Sequence, residues 1–178
     1  MVGFASLNLF FHGLTGVHMT LYSFTDWLSI LPVAVAAGFA ILGLFQWIRR
    51  KRILHVDPDI LILGIFYAAV FAAYIFFETL VVNYRPVLIN GIPEASYPSS
   101  TTLLVLCIMP TAALQFFRRL KSHRVKRTVA YAISAYTAFM VICRLISGVH
   151  WLTDIIGGLL LSAGLVMLYC FGCAIFEK

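Results

Sequence analysis

Residues 128–176 read TVAYAISAYTAFMVICRLISGVHWLTDIIGGLLLSAGLVMLYCFGCAIF. Two apolar runs, about 128–146 and 151–176, flank a break at Ser147-Gly148, and both are long enough to cross a hydrocarbon layer as helices. Arg144, His150 and Asp154 are set into these runs, where a charged side chain is costly and is by default a functional-site candidate. His150 and Asp154 are four apart, so on a helix they share a face, and the carboxylate can hold one imidazole nitrogen while the other points outward. That spacing suits a nucleophile with its orienting group. It equally suits a helix-end histidine capped by a nearby carboxylate. Arg144 precedes the turn and can return to the same place from the preceding helix, where its planar fork would grip an anion.

The rest of the chain repeats this apolar character. Of its 178 residues, 62% are apolar and 11% charged, which indicates an all-α, polytopic transmembrane helix bundle forming a single domain. The net charge of +6 raises nucleic acid as a partner, but the placement of the charges argues against it. Arg49-Arg50-Lys51-Arg52 and the cluster Arg118, Arg119, Lys121, Arg124, Lys126 and Arg127 flank apolar runs as cytoplasmic loops do.

In chain order, residues 1–26 mix aromatic and aliphatic residues with Gly, Ser, Thr and two histidines, and are too broken for a span. An interfacial or re-entrant segment is expected there. It lacks a basic leader and a small-residue cleavage site, so it does not read as a signal peptide. His12 and His18 have no partner at metal-ligand spacing and read as interfacial histidines. Asp26 is expected to cap a first span over about 27–48, and Asp57-Pro58-Asp59 opens a second that runs to about Val82. A loop rich in Gly, Pro and Ser follows through Ser100, and further spans are expected over about 101–117, 128–146 and 151–176. That makes five spans.

The positive-inside rule then places the two basic loops in the cytoplasm, and the N-terminus, the 83–100 loop and the 147–150 turn outside. Besides Lys178, the remaining basic residues are Arg85 and Arg144, both on the outer side, where orientation rules disfavour them. Two isolated arginines there suggest a retained anion site. Tyr97-Pro98-Ser99-Ser100-Thr101-Thr102 begins the third span on that same side, offering hydroxyls and free backbone N–H groups at a helix N-terminus. Taken alone, such a cluster reads as plain helix capping.

Together these stretches resemble the type 2 phosphatidic acid phosphatase family, which shares its site with vanadium haloperoxidases. The family pattern is Lys, six residues, Arg-Pro; Pro-Ser-Gly-His; and Ser-Arg, five residues, His, three residues, Asp. Arg85-Pro86 matches the end of the first motif, Pro98-Ser99 the start of the second, and Arg144, His150 and Asp154 the third. The resemblance implies His150 as nucleophile, Asp154 as its orienter, and Arg85, Ser99, Ser100 and Arg144 around the phosphate. Glu78 stands at the family lysine, Ser100 at the glycine, Thr101 at the histidine that protonates the leaving group, and Cys143 at the serine before Arg144. The family also commonly has six core helices. The resemblance further implies a multi-pass cell-membrane phosphatase with its site on the non-cytoplasmic face, acting on a lipid phosphate or diphosphate through a phosphohistidine. No cofactor or metal is implied, and no metal-ligand cluster is visible. The alternative is a catalytically weakened relative that binds lipid phosphate without turnover. A haloperoxidase is disfavoured, because the site lies between spans and the lysine and acid positions are lost. Glu78 is expected to pair with Arg85, or else to act as a substitute acid.

The four cysteines read as small hydrophobes, Cys170-x-x-Cys173 included, and Gly157-Gly158 as a place for close helix packing.

Overall fold

Pro58 opens a helix at its first turn, where the missing N–H is no loss, and Asp57 and Asp59 flank it at the positive end of the dipole. From such local rules the chain builds seven α-helices, and the computed structural model describes residues 2–176. These are α1 (Ala5–Thr15), α2 (Met19–Leu28), α3 (Ile30–Arg50), α4 (Pro58–Thr79), α5 (Ser100–Arg119), α6 (His123–Ile146) and α7 (Leu152–Phe176). Five stretches are long and apolar enough to cross a membrane: Met19–Arg50, which joins α2 to α3, and then α4, α5, α6 and α7. The protein is an all-α, multi-pass membrane protein.

The first span differs from the sequence expectation. Residues 1–26 contain two helices, and the second runs into the span, so Asp26 lies inside α2 and caps nothing. The junction at Ser29 has a covalent cause. Pro32 has no N–H to donate to the Leu28 carbonyl one turn back, and the Tyr136 hydroxyl of α6 donates to that carbonyl instead, at 2.9 Å. The junction lies where α2 packs against α6.

α5 is the central helix, packed against α3, α4, α6 and α7. Leu103, Val105, Cys107, Ile108 and Ala112 along it are fully buried. Gly157 and Gly158 let α7 approach closely: a Cβ at Gly157 would fall 2.3 Å from the Tyr97 ring, and one at Gly158 3.1 Å from Thr102. The basic loops share one end of the bundle, where Arg119 pairs with Asp59 at 2.9 Å.

At the opposite end, residues 83–96 double back as a hairpin without regular strands, held by isolated bridges Tyr84 to Ala95 and Ile89 to Ile92. Asn90 and Gly91 turn it with positive φ at both positions, as a tight hairpin turn requires. α1 docks at this end too. The buried Asn8 accepts from the Thr153 N–H at 3.1 Å and donates to the Thr153 hydroxyl at 2.9 Å, capping α7 from outside its own sequence. The His18 N–H donates to the Ser147 carbonyl at 2.9 Å, strapping the loop after α1 to the turn between α6 and α7.

That turn depends on Gly148. Its φ is +64°, and an added Cβ would lie 1.7 Å from the Gly16 carbonyl oxygen. Gly148→Ala should therefore lower the thermal midpoint of the purified protein in detergent, since a left-handed non-glycine residue alone costs about 1–3 kcal/mol. Gly64→Ala, in a helix interior with open space around it, should show no loss.

Candidate functional site

The turn and the hairpin bring His150 and Asp154 together, though not on one helix face. His150 precedes α7, and Asp154 sits in its first turn, where its Oδ2 accepts from the Trp151 N–H at 2.9 Å. This backward cap on the start of α7 fixes the carboxylate. The imidazole Nδ1 lies 3.9 Å from Asp154 Oδ2, beyond hydrogen-bond range. Ser96 fills the gap. Its hydroxyl donates a short hydrogen bond to Asp154 Oδ2, and its carbonyl oxygen lies 3.2 Å from His150 Nδ1. Asp154 Oδ1 accepts from the Asn83 side chain at 3.0 Å. Because the Ser96 carbonyl can only accept, Nδ1 carries the proton and Nε2 keeps its lone pair. Ser96 and Asn83 escaped the sequence reading because they lie in a loop whose doubling back no periodicity signals.

The two arginines converge on the same end. Arg144 is 1% exposed, and its Nη2 donates to Asp26 Oδ1 at 2.8 Å and to the Thr101 hydroxyl at 2.6 Å. Its Nε and Nη1 are buried without a partner. Arg85 pairs with Glu94 at 3.3 Å, and its Nε donates to the Ala95 carbonyl at 3.3 Å. Its Nη1 is likewise buried and unpartnered. The expected pairing of Arg85 with Glu78 is thus not found. The hairpin supplies Glu94 from across its own turn, and Glu78 instead lines a small cleft with Tyr74, Ser96, Ser100 and His150.

Ser99 is fully buried at the start of α5. Its N–H donates to the Asp154 main-chain carbonyl at 3.2 Å, and its hydroxyl accepts from Thr102 at 3.0 Å. The N–H thus ties the start of α5 to α7, while the hydroxyl, which accepts within α5, keeps its own proton to donate. Thr101 has a different task from an acid, since its hydroxyl accepts from Arg144. Tyr22 of α2, also missed, packs its ring 4.6 Å from the Arg144 guanidinium carbon and 5.4 Å from that of Arg85.

Three buried guanidinium nitrogens without acceptors, Nε and Nη1 of Arg144 and Nη1 of Arg85, thus lie at the same end of the bundle as His150, donors of the kind that suit an anion. The PAP2 superfamily model matches residues 83–172, the segment that carries these groups. This chain belongs to the PAP2 superfamily. No curated protein matches it. Among solved structures it is similar in fold to the transmembrane PAP2 type phosphatidylglycerolphosphate phosphatase from Bacillus subtilis, at 20% identity and a TM-score of 0.57. That similarity covers 98% of this chain and 96% of the other. The family segment begins at Asn83, so α2, with Tyr22 and Asp26, and α4, with Tyr74 and Glu78, reach this place from outside it.

Burial holds the His150 imidazole well below the ordinary histidine pKa, and Arg85 and Arg144 push it further the same way, against a small opposing effect of the Ser96 carbonyl. A neutral ring is therefore the folded form. Imidazole NMR of the protein in detergent should find His150 unprotonated at pH 6.5, the ordinary value for the side chain. The linkage has a definite sign: the unfolded chain takes up this proton first, so the contribution of His150 to stability falls as pH drops below 6.5. A half-protonated ring at that pH would contradict the geometry.

Proposed function

We propose that this PAP2 protein is an integral-membrane lipid phosphatase that works through a phosphohistidine at the non-cytoplasmic face, with a polyprenyl diphosphate as its best substrate. One observation carries the reading: His150, with Nδ1 committed to Ser96, shares the site with two arginines whose remaining N–H groups have no acceptor.

In the first step, Nε2 of His150 attacks phosphorus, a P–N bond forms and the bond to the leaving oxygen breaks. Arg85 and Arg144 take the charge on the equatorial oxygens, with help from the first-turn N–H groups of α5 around Ser100. Asp154, through Ser96, holds the ring in its tautomer and stabilises the cation that develops on it. Water then attacks the phosphohistidine, and the P–N electrons return to Nε2.

The leaving group decides the substrate. A phosphate monoester expels an alkoxide that needs a proton, whereas a diphosphate expels a phosphate whose last pKa is about 6. The Thr101 hydroxyl, at the family acid position, serves Arg144 and cannot act as an acid near neutral pH. Diphosphates should therefore be preferred by a factor on the order of a hundred to ten thousand, the usual worth of general acid catalysis. The engagement of Thr101 also favours the second reading, a relative that binds lipid phosphate without turnover.

Phosphate release from polyprenyl diphosphate, phosphatidic acid and phosphatidylglycerol phosphate in one detergent separates these readings. The expected order puts the diphosphate first, with His150→Ala inactive and Asp154→Asn and Arg144→Lys strongly impaired. Thr101→His should raise monoester hydrolysis selectively, in the Glu78→Lys background if not alone. Equal rates on all three lipids would assign the leaving-group proton to Glu78, which shares the cleft with His150. No release from any would favour the binding reading, and full activity of His150→Ala would sink the nucleophile.

The sidedness rests on the ten basic residues of the two loops at the other end of the bundle. Single cysteines introduced near Gly91 should react with an impermeant reagent in intact cells while those near Ser122 stay protected. The reverse pattern would invert the orientation.

A further inference from the structure

Helix α2 lies outside the segment that defines the family, yet it touches both arginines of the site. Tyr22 and Asp26 are four residues apart and so share one face of it. From that face the Tyr22 ring meets both guanidinium groups, and Asp26 Oδ1 meets Arg144 Nη2. We propose that α2 completes the anion seat, with Asp26 positioning Arg144 and the Tyr22 ring holding Arg85 and Arg144 side by side. The proposal rests on reading the site as a phosphate seat.

Two buried like charges need something between or behind them when no anion is bound. The π face of an aromatic ring is negative, and both guanidinium carbons lie within the roughly 6 Å over which such a face attracts a cation. One ring therefore serves both arginines, which reach the site from the hairpin and from the end of α6. Asp26 acts on the plane of one of them. Arg144 Nη2 has two protons, and Asp26 and Thr101 accept one each. These two bonds, at 2.8 and 2.6 Å, fix the direction of that nitrogen and so bias the guanidinium plane.

Asp26 is nonetheless no substitute for the bound anion. Arg144 Nε and Nη1 and Arg85 Nη1 remain buried without acceptors, so the donors left for a phosphate are untouched by the carboxylate. A competitor for the seat would have taken them.

The test is calorimetric binding of inorganic phosphate to the purified full chain in phosphatidylcholine nanodiscs, with thermal unfolding as a check that each variant is folded. Asp26→Ala should weaken binding about tenfold by freeing the guanidinium plane, while Asp26→Asn, whose amide oxygen still accepts from Nη2, should recover most of the loss. Tyr22→Leu should also weaken binding about tenfold, and Tyr22→Phe, which keeps the ring, should recover most of that. Tighter binding in both Asp26 variants would overturn the positioning role and make the carboxylate a competitor. Unchanged affinity in Asp26→Ala and Tyr22→Leu would overturn the proposal and leave α2 a mere cover. If the unsubstituted protein binds no phosphate, the failure lies in the phosphate-seat reading itself, and this proposal falls with it.

Discussion

The buried Arg144 guanidinium is the constraint around which this end of the molecule is arranged. Withdrawing an ion of this size from water costs several kcal/mol even after relaxation, and the cost is tolerable only where partners are fixed in advance. Three elements meet that demand for one nitrogen: α6 carries the side chain, α5 brings Thr101 and α2 brings Asp26. The other two nitrogens are left without acceptors, an arrangement that structural pairing alone does not explain. Buried donors without acceptors are rare in proteins, and here they stand beside a histidine with a free ring nitrogen.

The helical bundle serves this arrangement by holding two tight turns in register. Gly148 lets the chain pass within contact of the Gly16 carbonyl, so the turn before His150 is clamped between α6 and the loop after α1. Gly157 and Gly158 let α7 press against Tyr97 and Thr102, which sets the start of α5 against the start of α7. The Ser99 N–H to Asp154 carbonyl bond then ties the two helix starts together directly. The backbone of Ser99 thus serves the scaffold, and the Thr101 hydroxyl accepts from an arginine.

The hairpin over residues 83–96 supplies the partners of both Asp154 and Arg85. It delivers Asn83 and Ser96 to Asp154 and pairs Arg85 with Glu94, which leaves Glu78 facing the cleft. The imidazole is therefore oriented through a serine placed between it and the carboxylate. Ser96 combines two functions in one residue: its carbonyl sets the tautomer, and its hydroxyl fixes the carboxylate.

The sequence by itself determined the class and the kernel of the site. Apolar runs of membrane-spanning length dictate helices, because lipid offers no partner to an open backbone, and isolated charges within such runs stand out against that background. Arg144, His150 and Asp154 were legible for that reason, Arg85 as a basic residue on the side where orientation rules disfavour one, and their spacing placed the chain beside its family. What only the tertiary structure decided is the identity of their partners. Ser96, Asn83 and Asp26 bond across separations of 58, 71 and 118 residues, through a hairpin and through helix packing that leave no periodic trace. Asp26 shows the limit most clearly: locally it reads as a helix cap, because capping depends on near neighbours. Its actual role depends on a guanidinium brought to it by another helix.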